Sequence, residues 1–419
     1  MIKKNNNILL FFLKIFIPLY IISLNFHQFD ILELDTKIQL KITELIFVFL
    51  LIFFFLNLKV IKINNFNLFD YIILIFPIIS ILQLAFFQNK LSLVGLLSSI
   101  YLFLIYFVFK TLMHNGYKKI IFNYIIFSGA IASFFAILGW LFIQFEIKTN
   151  LILVYEYPFR IGQSGRSTSF FETPNSLFLF LILPFFFSLY NFIKELTIKN
   201  SIIFIFIAFA LMLTFSKSII IILGLIPYFI FYKVKNKIKI YSKIFLIFLS
   251  IIYLVISNVI ILDKSSNLYN QMFNKTYVNP ERGILYENSE ILITRTNYYE
   301  AKVKSLELIK ASPFIGKGFN SFANYKNEKY PNLIGRPHST YFGMFAENGI
   351  LGFIFVILLF YYSYRKTLFK NNMSIPFNII CIFLIIDGFN TDLLYTKIFW
   401  IFFALIDYNS NKKSNSEKN

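Results

Sequence analysis

The sequence predicts an all-α polytopic integral membrane protein, about twelve transmembrane helices with a long, partly helical loop on one side. Three observations predict it. Of 419 residues 58% are hydrophobic, 57 are Phe and only 15% are charged, and the mean hydropathy is +0.68. Apolar runs of roughly 15 to 25 residues, enough to cross a ~30 Å hydrocarbon core, recur along most of the chain. The basic residues sort into alternate connecting loops, as resistance of lysine and arginine to translocation requires.

The runs extend over Ile8–Asn25, Ile42–Leu58, Leu68–Phe87, Leu91–Met113, Ile120–Phe145, Pro174–Phe192, Ser201–Phe215, Ser218–Tyr232, Ile244–Leu262, Thr340–Tyr362, Ile375–Phe389 and Leu393–Ile406. The N-terminus has the charged start and apolar run of a signal peptide, but no small-residue cleavage pattern precedes Phe26 and His27, so it reads as an uncleaved first helix. The chain divides into N-terminal helices over 1–262, a loop over 263–339, C-terminal helices over 340–408 and a polar tail over 409–419.

Lys59 and Lys62, Lys110, Lys118 and Lys119, Lys194 and Lys199, the lysines from Lys233 to Lys243, and Arg365, Lys366 and Lys370 fall in alternate loops. Lys3, Lys4, Lys412, Lys413 and Lys418 join them at the chain ends. This side is read as cytoplasmic, with both termini on it. The net charge of +19 is then an inner-leaflet collar, and a nucleic-acid partner is not expected. Cys381 is the only cysteine, and His27, His114 and His338 lie far apart in sequence with no thiol partner. Neither a disulfide nor a zinc site is expected.

Five of six arginines (Arg160, Arg166, Arg282, Arg295 and Arg336) fall on the other, outer side. There the pattern of spans breaks twice, over Glu146–Thr173 and over Asp263–Ser339. A loop as long as the second is usually functional or disordered. Within it Thr294 reads as a helix N-cap, with Tyr299, Val303, Leu306 and Ile309 on an apolar face and Lys302, Lys304, Glu307 and Lys310 opposite. Arg295 then falls in the first helical turn, where free N–H groups and the helix dipole favour an anion. The alternative is a surface pairing with Glu290 or Glu300.

In the shorter loop, Thr173 as N-cap and Pro174 at the first helical position begin a span, holding Arg160 and Arg166 near the membrane surface. They either meet a substrate anion or reach phospholipid phosphates. Lys217, in the turn Phe215-Ser-Lys-Ser218 between two short apolar runs, is placed either in a cavity or at the interface. Gly316-Lys-Gly318 lacks the rest of a phosphate-binding loop and reads as a turn. His338, next to Arg336, precedes a membrane helix, where an imidazole can take a hydroxyl proton, steady a phosphate, or serve only structurally. Glu347, nine residues on, faces away from His338 on a continuous helix and shares a face with Ser339 and Gly343.

The ordered set of an arginine-bearing segment before Pro174-Asn175, the Ser216-Lys-Ser turn, Arg295, Pro313-Phe-Ile-Gly-Lys-Gly318, Pro337-His-Ser-Thr340 and Glu347-Asn-Gly-Ile-Leu-Gly352 resembles the O-antigen ligase and O-antigen polymerase superfamily. The resemblance implies a GT-C-like membrane glycosyltransferase of the bacterial inner membrane with a periplasmic active site. It implies transfer of a glycan from undecaprenyl pyrophosphate to an acceptor glycolipid, either a lipid-linked repeat or lipid A-core, without metal, nucleotide or other cofactor. Arg160, Arg166 and Arg295 would hold pyrophosphate and His338 would activate or position the acceptor hydroxyl, with Lys217, Arg336 and Glu347 contributing to substrate binding. Lys217 stands where the family often has arginine, and Ser339 where many members have asparagine. Membrane lipids are expected partners, and a chain-length regulator and a flippase are possible ones. A lipid-linked glycan flippase or transporter would instead carry its charges within several spans, and a non-catalytic export protein would tolerate loss of His338 and Arg295.

Overall fold

Each of the twelve apolar runs contains a helix. The computed structural model describes residues 2–26, 30–35, 38–63, 65–145, 154–155, 165–231, 236–263, 284–324, 337–368 and 374–416. The helices are α1 (Ile2–Ser23), α2 (Ile42–Leu56), α3 (Leu68–Phe87), α4 (Lys90–Leu112), α5 (Lys118–Gln144), α6 (Pro174–Lys194), α7 (Ile198–Leu213), α8 (Ile219–Ile230), α9 (Asn236–Asn258), α10 (Asn297–Ala311), α11 (Thr340–Thr367), α12 (Ser374–Asp387) and α13 (Lys397–Ser416). Among the described residues five stretches are long and apolar enough to cross a membrane, and α2, α7, α8, α12 and the apolar part of α1 are shorter. One of the five is the 53-residue stretch Lys90–Phe142, which is in fact two helices. Gly116, at φ 93°, breaks it between α4 and α5, and Asn115 fastens the turn to both Lys62 O (3.0 Å) and Thr111 O (2.8 Å). Exposed Phe86, Leu97, Ile202, Phe248 and Ile251 give the bundle the apolar outer surface of an integral membrane protein.

One continuous core joins α1 to α9 and α11 to α13. α7 packs on α5 and α6, whereas α8 packs on α9 and α12, so the Lys217 turn joins two groups of helices. The connections gather in two sets at the two helix ends. In the first, the loop before α6 meets the α7–α8 turn, and the start of α11 is fastened to the loop after α12.

The second set is closed by a buried charge network. Lys110 Nζ lies 2.5 Å from Asp70 Oδ1 and 2.7 Å from Asp407 Oδ2, and Lys366 pairs with the other Asp407 oxygen. Tyr106 donates to Asp70 (2.7 Å), and Asn67, the N-cap of α3, donates to Asp407 (3.0 Å). Buried charges persist in such a setting only when paired and hydrogen-bonded. The network ties α3, α4, α11 and α13 together.

The all-α expectation misses short antiparallel strands. β1 (Asp30–Asp35) pairs with β2 (Ile38–Lys41), and β3 (Val154–Tyr155) with β4 (Arg166–Ser167). β5 (Val259–Asp263), β6 (Ile284–Glu287) and β7 (Ile291–Arg295) form a sheet in the order β5-β7-β6. The run expected as Ile244–Leu262 is thus helix to Asn258 and strand beyond. Val259-Ile-Ile continues the apolar run, but its β-branched residues suit a strand, and periodicity cannot separate the two.

The glycine-bearing motifs form the joint between the long loop and α11. Gly349 (φ 64°, ψ −161°) interrupts that helix, leaving carbonyls that the loop satisfies. Lys317 N donates to Ala346 O and Gly318 N to Glu347 O, both at 3.0 Å, and Ile350 N donates to Pro313 O (2.9 Å). A Cβ on Gly316 would lie 2.3 Å from Glu347 O, and one on Gly349 2.1 Å from Phe314 O. Both positions therefore require glycine for backbone approach as well as for φ.

Candidate active site

Arg166 ends up in the short strand β4, one loop away from the start of α6. Thr173 caps α6 by accepting from Ser176 N (3.1 Å), with Pro174 at the first helical position as expected. This places Asn175 on the first turn, facing Arg166. The guanidinium donates through Nε to Thr214 O (2.8 Å) and through Nη2 to Asn175 Oδ1 (3.0 Å). Two anchors on a planar fork fix its orientation.

Asn175 carries the arrangement further. Its Nδ2 donates to Tyr298 OH (3.2 Å), and the Tyr298 ring meets the His338 imidazole edge-on, with centroids 4.8 Å apart. A cationic fork, an amide, a phenol and an imidazole from four separate segments thus form one contiguous row. His338 is half-buried with φ 49°, a left-handed conformation costly for a residue with a Cβ and held only by its surroundings. Those surroundings are Ser339 Oγ donating to Gly388 O (3.2 Å) and Thr340 N donating to Gly388 O (2.8 Å) and Thr391 O (2.9 Å).

Lys217 joins this corner. Its half-buried ammonium donates to Ile256 O (2.9 Å) at the end of α9. Burial first, and then the Arg166 charge, push its pKa down. The turn that presents it is held by Asp387, whose Oδ1 accepts from Ser218 Oγ and Tyr253 OH, each at 2.6 Å, and whose Oδ2 accepts from Thr391 Oγ1 (2.6 Å). Phe215, just before, also has a left-handed φ of 46°.

Arg295 is not in a first helical turn. It ends β7 opposite Val259, and α10 is capped by Thr296, not Thr294. Thr294 instead pairs with Ile260 and Ile284 in the sheet, and Thr296 spends its hydroxyl on Ser257 O (2.8 Å). The alternating Ile-Leu-Ile-Thr favoured the strand over the cap. The Arg295 guanidinium lies over the Tyr299 ring, 4.4 Å from its centroid, next along the chain to Tyr298.

The expected faces of α10 are also corrected. Ala301, Lys304, Ser305 and Leu308 are buried, while Leu306 is exposed. Small Ala301 and Ser305 let the helix approach α11, where Ala301, Leu308, Ile309, Phe322 and Ala346 make a separate small core. Lys304 is accommodated because its ammonium reaches Phe322 O (3.0 Å) over that ring's face while its stem is buried. Lys302, expected in solvent, is half-buried and donates to Asn258 Oδ1 (2.9 Å) and Asn390 Oδ1 (2.5 Å). Burial lowers its pKa to about 8.

The structure therefore brings together Arg166, Lys217 and His338, while Arg295 rests on Tyr299, the chain neighbour of Tyr298. Arg160, Arg282, Arg336 and His27 lie outside the described residues. Glu347 is buried on α11 and borders a separate cavity. Asn175, Tyr298, Lys302 and Asp387 were not assigned from sequence. A signal existed for Asp387, a carboxylate inside an otherwise apolar run, and for Asn175, inside the Pro174-Asn175 motif. Tyr298 had none.

Residues 202–357 match the family model Wzy_C, described as O-antigen ligase. The match is a likeness over less than half of the chain. It supports the O-antigen ligase and polymerase superfamily, whose members are glycosyltransferase-like membrane proteins of lipopolysaccharide biosynthesis with lipid-linked glycans as substrates. No curated protein matches the chain. The matched segment contains Lys217, Arg295, Tyr298 and His338, while Arg166 and Asn175 lie before it and are brought in by the fold.

Proposed function

We propose that the chain transfers a glycan from undecaprenyl pyrophosphate to a sugar hydroxyl at the periplasmic face of the inner membrane, spanning it twelve times with both termini cytoplasmic. The observation that carries this reading is the row from Arg166 through Asn175 and Tyr298 to His338. It links a fixed cation, through an amide and a phenol, to an imidazole able to take a proton. Arg166, Lys217 and Arg295 would take the two phosphates, with Arg160 and Arg336 as further contributors. Fixed cations in a site of reduced dielectric stabilise the charge that develops as the carbon–oxygen bond to pyrophosphate breaks.

The acceptor oxygen forms its bond to the anomeric carbon from the opposite side, its proton passes to the His338 imidazole, and lipid pyrophosphate leaves with the bonding pair. One displacement inverts the anomeric configuration. Neither a metal nor a nucleotide enters these steps. A chain-length regulator and a flippase would act on the product and the donor.

Ligase and polymerase need the same donor site. We adopt polymerisation of lipid-linked repeats, because the Ile, Asn, Lys and Phe excess indicates an AT-rich gene of the kind common in polysaccharide clusters. The test is a deletion strain complemented with wild type, Arg295→Lys or His338→Ala, with insertion of each variant verified. Single unextended repeats support polymerisation, whereas long carrier-linked chains missing from lipid A-core make the chain a ligase. Full function of both variants refutes the site.

A further inference from the structure

A cavity of about 370 Å³ lies at the end of the bundle away from the cationic corner, within the size range of small-ligand sites. It is bounded by the start of α5, the end of α6 and the start of α7. Deeper in the bundle these helices converge. A Cβ on Gly129 of α5 would lie 2.2 Å from Pro184 Cβ on α6 and 3.6 Å from Ile207 Cδ1 on α7, so the missing side chain lets the three touch. Nearer their ends they part, and the space between them is the cavity. Exposed Phe127 in its lining puts the mouth on the outer surface of the bundle.

The lining is graded along the helix axes. Asn123, Asn191, Lys199 and Asn200 stand at the loop end, whereas Ile126, Phe127, Ala130 and Ile203 reach deeper. From Asn123 to Ala130 the gradient covers ~10 Å of helix. Charge is concentrated at the loop end too. Lys199 is exposed and has no carboxylate partner among the described residues, while Lys194 pairs with Glu195 at 3.4 Å. Between these lysines Leu196 and Ile198 are 79% and 81% exposed. Bare apolar side chains interleaved with lysines suit the boundary between lipid headgroups and acyl chains.

An amphiphile with an anionic head matches this gradient. Its phosphate meets the Lys199 ammonium and the asparagine amides, and its chain lies against the deeper apolar residues. Free phosphate would leave the apolar length uncovered, and a zwitterionic lipid would bring its own cation to Lys199. We propose that this cavity binds one anionic phospholipid, with the phosphate on Lys199 and an acyl chain along the groove between α5 and α7. On the topology proposed above, the lipid belongs to the cytoplasmic leaflet. The site shares no residue with the cationic corner, so the proposal stands apart from the glycosyl-transfer reading.

The test is native mass spectrometry of the delipidated full chain, titrated with phosphatidylglycerol, phosphatidylcholine or inorganic phosphate, with unfolding midpoints confirming that each variant is folded. Wild type should take up one phosphatidylglycerol about fivefold more tightly than phosphatidylcholine, the discrimination expected of one lysine near the membrane surface. Lys199→Gln should erase that preference by weakening phosphatidylglycerol alone. Ala130→Phe, which fills the deep end, should weaken both lipids. Lys243→Gln, at an exposed lysine of α9 outside the cavity, should change neither. Equal binding of the two lipids by wild type, or a loss in Lys243→Gln equal to that in Lys199→Gln, overturns the proposal in favour of general attraction to a basic surface. Phosphatidylglycerol binding untouched by Ala130→Phe, with inorganic phosphate bound as tightly as the lipid, also overturns it, leaving an anion site without a chain groove.

Discussion

Asn175→Leu removes the link between the guanidinium and the imidazole while leaving both in place. The amide accepts from Arg166 Nη2 at 3.0 Å and donates to Tyr298 OH at 3.2 Å. A hydrogen bond to a charged group contributes about 1.5–3 kcal/mol and a neutral one about 0.5–1.5 kcal/mol. Together they amount to about 2–4.5 kcal/mol, which at about 1.4 kcal/mol per decade is on the order of 30- to 2,000-fold in rate if the alignment matters fully in the transition state. Arg166 keeps its bond to Thr214 O, so the charge remains and the loss is one of orientation. The assay is kcat/KM for transfer from a lipid-linked repeat by the purified protein in nanodiscs, with thermal unfolding as a check on folding. Asn175→Asp keeps an acceptor for both partners but pairs the guanidinium with a carboxylate, so it should restore the alignment while weakening pyrophosphate binding. A folded Asn175→Leu variant within about threefold of wild type would refute the reasoning.

Three further outcomes follow from the geometry. Asp407→Ala leaves Lys366 without its buried counter-charge and Lys110 with Asp70 alone, and should cost about 3–5 kcal/mol, read as a lowered unfolding temperature in detergent; an unchanged midpoint counts against the network. Gly349→Ala combines a forbidden backbone with a Cβ 2.1 Å from Phe314 O and should cost more than the roughly 1–3 kcal/mol of strain alone. Gly116→Ala, with open space around its Cβ, should cost only about 1–2 kcal/mol for its φ, and comparison of the two unfolding midpoints checks this. Lys302 loses its charge as pH rises through about 8, and unfolding midpoints followed from neutral pH to pH 10 check the consequence for stability, with Lys302→Met flattening the profile. Between about 8 and the ordinary lysine value the unfolded chain holds the proton that the folded one has released, so this residue's contribution to stability rises with pH across that window.

The bundle was legible in the sequence because spans obey one strong rule, the length of an apolar run against a bilayer. Thr173-Pro174 was legible for a local reason, the chemistry of a helix start. The failures have a common cause. Thr294 satisfies every local criterion for a cap, yet its backbone is taken by β5 and β6, a pairing set by segments distant in sequence. Lys304 reads as a solvent residue until Phe322 O is found within reach of its ammonium. The same limit applies to the site. Arg166, Lys217 and His338 stood out as polar residues flanking apolar spans, whereas Tyr298, on α10, matters only because α6 and the segment entering α11 place Asn175 and His338 on either side of it. Asp387 resembles a stray charge until the Ser218 and Tyr253 hydroxyls are seen to converge on it.

The most direct test of the central claim is to incubate the purified chain with a single undecaprenyl-pyrophosphate-linked repeat, without nucleotide or added metal, and to determine product length and the configuration of the new bond. The account predicts longer carrier-linked chains, one undecaprenyl pyrophosphate released per bond formed, an inverted anomeric centre, and loss of all three in Arg166→Ala and His338→Ala. Retained configuration, or extension that persists in both variants, would contradict it.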